Sequence, residues 1–166
     1  MGISTRFISA EKSIGAFPAH DVKSCAGVLV VISFFCIAAC TRQPLYSDPV
    51  LKGSVVSVHI SGLRDSVPQF YSYHALGHTV SFFIIKIDGR VLSFLDACMK
   101  CHPKKRGFRF DSGSVICKAC DERFPVSEIE KGFGSCYPIK LEGQVHGEEY
   151  HIPAPVLEDI AKKYFS

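Results

Sequence analysis

Methionine is almost missing from this chain of 166 residues, with Met1 and Met99 the only two. An excess of one charge is missing as well. Nineteen Lys+Arg stand against 16 Asp+Glu, a net charge of +3. That balance excludes the strongly basic face that marks a nucleic-acid binder. The chain has no catalytic triad, paired-carboxylate site or glycine-rich phosphate loop, so hydrolysis and phosphoryl transfer have no candidate machinery. Beyond residue 40 it also lacks any long apolar run, which excludes a membrane-spanning helix there. What it has instead is cysteine, and one apolar run close to the start.

Residues 25–39 read Cys-Ala-Gly-Val-Leu-Val-Val-Ile-Ser-Phe-Phe-Cys-Ile-Ala-Ala, without charge, between Lys23 and Cys40. The run is shorter than the ~20 residues a spanning helix needs. It fits the apolar centre of a secretory signal with small residues at the cleavage site. Ile37-Ala38-Ala39-Cys40 resembles the bacterial lipoprotein signal, in which the cysteine is lipidated and becomes the first mature residue. The expected organisation is a signal peptide at 1–39, a lipidated tether at 40–53 and a single domain at 54–166. Pro44, Pro49 and Gly53 suit the tether. The alternative is an uncleaved, slightly short membrane anchor. Either way the domain lies outside the cytoplasm, in the cell envelope, facing the periplasm or the exterior. Several lipid chains would hold it to the membrane where one would not. The stretch before Lys23 is long for a signal, which leaves the true start open.

From residue 54 the pattern turns strand-like. Val55, Val56, Val58 and Ile60 make one candidate strand, Phe70, Tyr71 and Tyr73 a second, and 80–87 a third. Asp88-Gly89 is a tight-turn signal, and 91–95 returns as the partner, delivering the chain to Cys98. A second hairpin is expected from Phe108 and Phe110 through Asp111-Ser112-Gly113 to Val115-Ile116. Residues 121–129 read as a short strand and a turn around Pro125. At the C-terminus the period changes. Pro155 suits a first helical turn, and Val156, Leu157, Ile160, Ala161 and Tyr164 recur at helical spacing. The fold class is therefore α+β: a small strand-rich domain whose β-hairpins carry Cys-x2-Cys knuckles, closed by an amphipathic helix.

Cys98/Cys101 and Cys117/Cys120 are two Cys-x2-Cys pairs separated by 15 residues, and Cys136 follows after 15 more. Four chemistries compete for them. Disulfides suit an exported chain, but with Cys40 lipidated five thiols remain, and an odd number does not close. Zinc suits the Cys-x2-Cys-x15-Cys-x2-Cys spacing and leaves Cys136 without a role. Covalent haem suits Cys98-Met99-Lys100-Cys101-His102 letter for letter. Here the scarcity of methionine matters, because Met99 lies inside the motif and cannot reach the far face of a haem. A distant histidine such as His74, His78 or His151 would have to serve. An iron–sulfur cluster needs four cysteine thiolates, and five candidates within 39 residues supply them. The simplest set is the two pairs, and the alternative exchanges one member for Cys136.

Phe94-Leu95-Asp96-Ala97-Cys98-Met99-Lys100-Cys101-His102 resembles the domain of the FtrD-like membrane iron–sulfur proteins. So does Val115-Ile116-Cys117-Lys118-Ala119-Cys120-Asp121-Glu122-Arg123-Phe124-Pro125-Val126. Gly134-Ser135-Cys136-Tyr137-Pro138-Ile139 is similar to that family's Gly-Gly-Cys-Asn-Pro-Ile ending, departing from it at Ser135 and Tyr137. The resemblance spans roughly residues 70–155 and includes the histidine at His102, which therefore need not mean haem. It implies an iron–sulfur electron carrier accompanying an Ftr-type iron permease. Longer members carry several membrane spans, so this chain resembles a peripheral version.

Among the remaining polar residues, His102 stands beside Cys101 as a ligand, a second-shell donor to sulfur, or a plain loop residue. His74 and His78 would share a face only if helical, and their neighbours argue for strands. Asp96 and Asp121 flank the pairs and read as turn-stabilising acceptors. Lys104-Lys105-Arg106 is a solvated loop or a dock for an acidic redox partner. The sequence thus predicts an electron carrier rather than a catalyst, with a structural zinc module or a small c-type cytochrome as alternatives.

Overall fold

The computed structural model describes residues 44–165. The expected signal peptide, Cys40 and the first residues of the expected tether lie outside the described residues. Twelve strands follow in order: β1 Tyr46–Ser47, β2 Val50–Lys52, β3 Val55–His59, β4 Gln69–Ala75, β5 His78–Ile87, β6 Arg90–Cys98, β7 Phe108–Asp111, β8 Ser114–Cys117, β9 Arg123–Pro125, β10 Pro138–Leu141, β11 Gln144–His146 and β12 Glu149–Pro153. One helix, α1 Ala154–Phe165, closes the described chain. The strands form a five-stranded sheet (β1-β4-β5-β6-β10), a four-stranded sheet (β11-β12-β3-β2) and a three-stranded sheet (β7-β8-β9). No helix among the described residues is long and apolar enough to cross a membrane.

The central element is the β5–β6 hairpin. Its turn residues Asp88 and Gly89 both take positive φ, 50° and 78°, the geometry a two-residue hairpin turn requires. The apolar run of β5 has no polar alternation because the strand is covered on both faces. Val80, Phe82 and Ile84 face one cluster, with Val56, Ile152 and Leu157 from the four-stranded sheet and α1. Phe83, Ile85 and Ile87 face the other, with Phe108, Val115 and Phe124 of the three-stranded sheet. The same alternation governs β6: Leu95 and Ala97 point to the helix side, Phe94 and Cys98 to the three-stranded side. A slip of one residue would send Cys98 to the wrong face.

Both expected hairpins form, with Phe83 opposite Phe94 and Phe110 opposite Val115. The closing helix forms with Pro155 in its first turn. The first candidate strand ends one residue early, at His59 rather than Ile60. Strands β10, β11 and β12 went unread in the sequence, because at four, three and five residues they are too short for a pattern to stand out. Strands also begin inside the stretch read as a tether. Tyr46 and Ser47 pair in parallel with Phe70 and Tyr71, and Val50–Lys52 pairs with β3.

The Tyr46 hydroxyl donates to the Asp96 carboxylate, whose other oxygen accepts from the Phe108 N–H at 2.7 Å. This joins the first strand, the end of β6 and the start of β7. Burial raises the Asp96 pKa, while the bonds from Tyr46 and Phe108 and the charge of Lys118 oppose that rise. The folded pKa stands above the unfolded one. Stability from this group is therefore full below the ordinary carboxylate range and is lost as pH rises through the folded value. Tyr46→Phe removes one opposing bond. It should destabilise the domain by about 1–3 kcal/mol, and by more near neutral pH than in acid, as read by urea unfolding at several pH values.

Candidate metal centre

Three chain segments bring the cysteines together. Strand β6 ends at Cys98, where the chain turns through a bond from the Cys101 N–H to the Cys98 carbonyl at 3.1 Å. Strand β8 ends at Cys117, which sits opposite Phe108. A second tight turn follows, closed by Asp121 N–H to Cys117 O at 2.9 Å and Cys117 N–H to Glu122 O at 3.0 Å. Strand β10 pairs with β6 so that Pro138 lies opposite Cys98, and this register sets Cys136 beside Cys98. Cys136 is further held by reciprocal backbone bonds with Phe133 at 2.9 and 3.0 Å.

All five thiols meet. Cys98, Cys101 and Cys117 have their sulfurs within 4.8 Å of one another, and so do Cys117, Cys120 and Cys136. Cys136 Sγ lies 3.6 Å from Cys98 Sγ and 3.7 Å from Cys120 Sγ. Cys98, Cys117 and Cys136 are buried, Cys101 is half-buried and Cys120 is exposed. None of these five is in a disulfide, and their contacts exceed the ~2 Å of an S–S bond.

Crowding resists ionisation. Burial pushes Cys101 up to about 12, with the Cys120 thiol and the Cys98 charge adding to it. Cys117 and Cys136 are raised too, again chiefly by burial. Cys120 shifts down: burial opposes its charge, but bonds from the Glu122 backbone and from neighbouring thiols outweigh that. Buried thiols this close ionise together only around a cation. The donor set therefore fits a thiolate-ligated metal centre. With metal–sulfur bonds of ~2.3 Å, a tetrahedral site has sulfur–sulfur edges of about 3.8 Å, close to the two distances at Cys136.

Covalent haem fits poorly. Cys98 is 2 % exposed and faces Cys136, so its sulfur has no open side for a porphyrin edge. His102 is placed differently from a sulfur donor. Its Nδ1 donates to the Met99 carbonyl at 3.0 Å, and its ring meets Tyr164 edge-on at 5.0 Å. It steadies the first cysteine turn and is not in either thiol group. His74 and His78 lie on paired strands, with His74 opposite Thr79. Asp96 is a buried hydrogen-bond acceptor, as its position beside the first pair suggested. Asp121 takes φ 59° in the second turn.

Two residues important to the centre carried little signal. Tyr46 lies 50 positions from its partner Asp96, beyond any local pattern. Gly132 lies four residues before Cys136 with no local pattern to mark it. It takes φ 64°, and a Cβ there would meet the Cys136 carbonyl oxygen at 2.2 Å.

A family model described as "Membrane iron-sulfur containing protein FtrD-like" matches residues 63–165. Among solved structures, the ferredoxin of carbazole 1,9a-dioxygenase from Nocardioides aromaticivorans IC177 is 17% identical, covering 64% of this chain and 98% of that one at a TM-score of 0.38. That likeness is too loose to carry an argument. No curated protein matches. The family name and the grouped cysteines together point to a metal centre.

Gly132→Ala should cost roughly 1–3 kcal/mol through positive φ and the clash with Cys136, and should lower metal retained after purification. Gly134→Ala, with φ 59° and open space, should keep the metal. Equal metal content in both variants would show that the contact does not matter.

Proposed function

Because this chain belongs to the FtrD-like family of membrane iron–sulfur-containing proteins, we propose that it is a membrane-attached electron carrier outside the cytoplasm, serving iron uptake. The observation that carries the reading is the meeting of five thiols, with Cys120 the one exposed cysteine among them. Four of Cys98, Cys101, Cys117, Cys120 and Cys136 would hold the centre. An iron–sulfur centre supplies one-electron chemistry when bound. The chain's own part is to position and shield. Burial of Cys98, Cys117 and Cys136 keeps water from three sulfurs, and Cys120 offers the edge nearest a partner. No nucleophile–base pair accompanies the thiols, so the site suits electron transfer better than bond making.

Attachment rests on the sequence: a signal peptide at 1–39, lipidation at Cys40, and a tether at 40–53. The family's association with Ftr-type iron permeases supports iron uptake as the setting. Arg106, Arg109 and Lys118 line one hollow with Asp121, beside the Cys117–Cys120 turn. Their charge favours an acidic redox partner.

A structural zinc module is the second reading, since the sulfur spacing suits zinc equally. Anaerobic purification separates the two. A coloured protein that accepts and returns one electron per chain supports the carrier. A colourless protein with one zinc per chain and no redox response would sink it.

A further inference from the structure

The β5–β6 hairpin is not closed along its whole length. Its ladder runs from Ile87 opposite Arg90 to Phe82 opposite Leu95. Beyond that point β5 still holds residues 78–81 and β6 still holds 96–98, but each keeps a different neighbour. His78 and Thr79 pair with β4, and Cys98 lies opposite Pro138 of β10. The hairpin therefore splays at the end that carries the first cysteine. A cavity of about 450 Å³ opens there, lined from both strands. That volume is in the ~300–1,000 Å³ range of small-molecule sites.

Charge sets what the cavity fits. Lys105, Arg106 and Lys118 line it against a single carboxylate, Asp96. Both Asp96 oxygens are already engaged, one by the Tyr46 hydroxyl and the other by the Phe108 N–H. Among the described residues Arg106 makes no salt bridge. Cations gathered in a concave site focus their field on an incoming anion, and a guanidinium matches the geometry of carboxylate or phosphate. Position sets what an occupant would do. Ala97, His102 and Lys118 all line the cavity, and each is next in the chain to a cysteine, Cys98, Cys101 and Cys117 respectively.

We propose that this cavity binds a small multivalent oxyanion, a polycarboxylate or a phosphate, through Lys105, Arg106 and Lys118, and that the bound charge opposes the gain of an electron at the neighbouring centre. The binding rests on the cavity alone, and the coupling rests on the electron-carrier reading above. Repulsion between the anion and an added electron makes the oxidised chain bind the anion more tightly. By linkage, the anion then lowers the midpoint potential. A tenfold preference for the oxidised form corresponds to about 59 mV for one electron.

The test uses the full chain, purified anaerobically with its centre and titrated by calorimetry at low salt. The probes are orthophosphate and tricarballylate, which carries three carboxylates but chelates iron weakly. Acetate is the monovalent control. One site per chain is expected for at least one multivalent probe, at least tenfold tighter than acetate, and the tighter probe names the class. No binding of either probe, or equal binding of acetate, would overturn the site. Lys105→Gln together with Arg106→Gln should weaken binding at least tenfold. Lys100→Gln together with Lys104→Gln removes the same charge from the same loop but outside the cavity lining, and should change binding less than threefold. Equal weakening in the two pairs would show a diffuse basic surface and overturn the site. Lys105→Arg with Arg106→Lys keeps both charges and should retain binding, which separates lost charge from lost folding. In a redox titration, the saturating anion should lower the midpoint potential of the unaltered chain and not that of the Lys105→Gln, Arg106→Gln pair. An unchanged potential with binding intact would overturn the coupling. A colourless zinc protein that still binds the anion would sink the carrier and the coupling while supporting the site.

Discussion

The two-residue alternation of the β5–β6 hairpin is the constraint on which the centre depends. Both strands are covered on both faces, so their buried apolar side chains are each committed to one of two clusters. Phe82, Ile84 and Leu95 go to the helix side, and Phe83, Phe94 and Cys98 to the other. Burying a large apolar side chain contributes about 1.5–3 kcal/mol, and a slip would reverse the facing of several at once. The register is therefore far more costly to shift than any one contact in the site. Cys98 inherits its direction from this packing, and the β10 pairing carries that precision on to Cys136.

Electrostatics then set the requirement for a cation. Core packing holds three thiols out of water and near two more, and burial alone drives several of them away from ionisation. An ordinary apolar core would tolerate neutral cysteines, since free cysteine behaves as a small hydrophobe. Five in one place, on turns that direct their sulfurs together, is a different design. The turns cost backbone freedom, and Asp121 adopts a left-handed conformation to close one of them. Binding a metal returns that cost, because the site is absent from the unfolded chain and metal affinity becomes folding stability.

Much of this was legible in the sequence for identifiable reasons. The β5–β6 and β7–β8 hairpins announced themselves through Asp88-Gly89 and Ser112-Gly113 between apolar runs, and α1 through its period. The convergence of the two cysteine pairs followed from one hairpin lying between them. The missed features are those set by distance. Nothing near Tyr46 tells that it reaches Asp96, and the tether-like prolines around it hid two short strands. Strands β10–β12 are only three to five residues long, too short for their alternation to stand out. His102 stands open in the sequence between a ligand, a donor to sulfur and a plain loop residue. No local pattern chose among them, because its Nδ1 bonds the carbonyl of Met99 in its own turn.

The same residue clarifies how Cys101 and Cys136 differ. Cys101 lies on a turn braced from outside, by His102 against Tyr164 of α1. Cys136 lies on a loop braced from inside, by Gly132 and the β6–β10 register. The two braces meet at one bond, from the Met99 N–H to the Tyr137 carbonyl at 2.9 Å. Exposure adds a direction to this. Cys101 and Cys120 form the solvent side and Cys98, Cys117 and Cys136 the core side, so the choice of fourth donor also sets how much of the centre water and partners can reach. Hydrogen bonding and solvent exposure at sulfur tune a thiolate-ligated metal. The fifth thiol therefore offers control over the centre that four alone would lack.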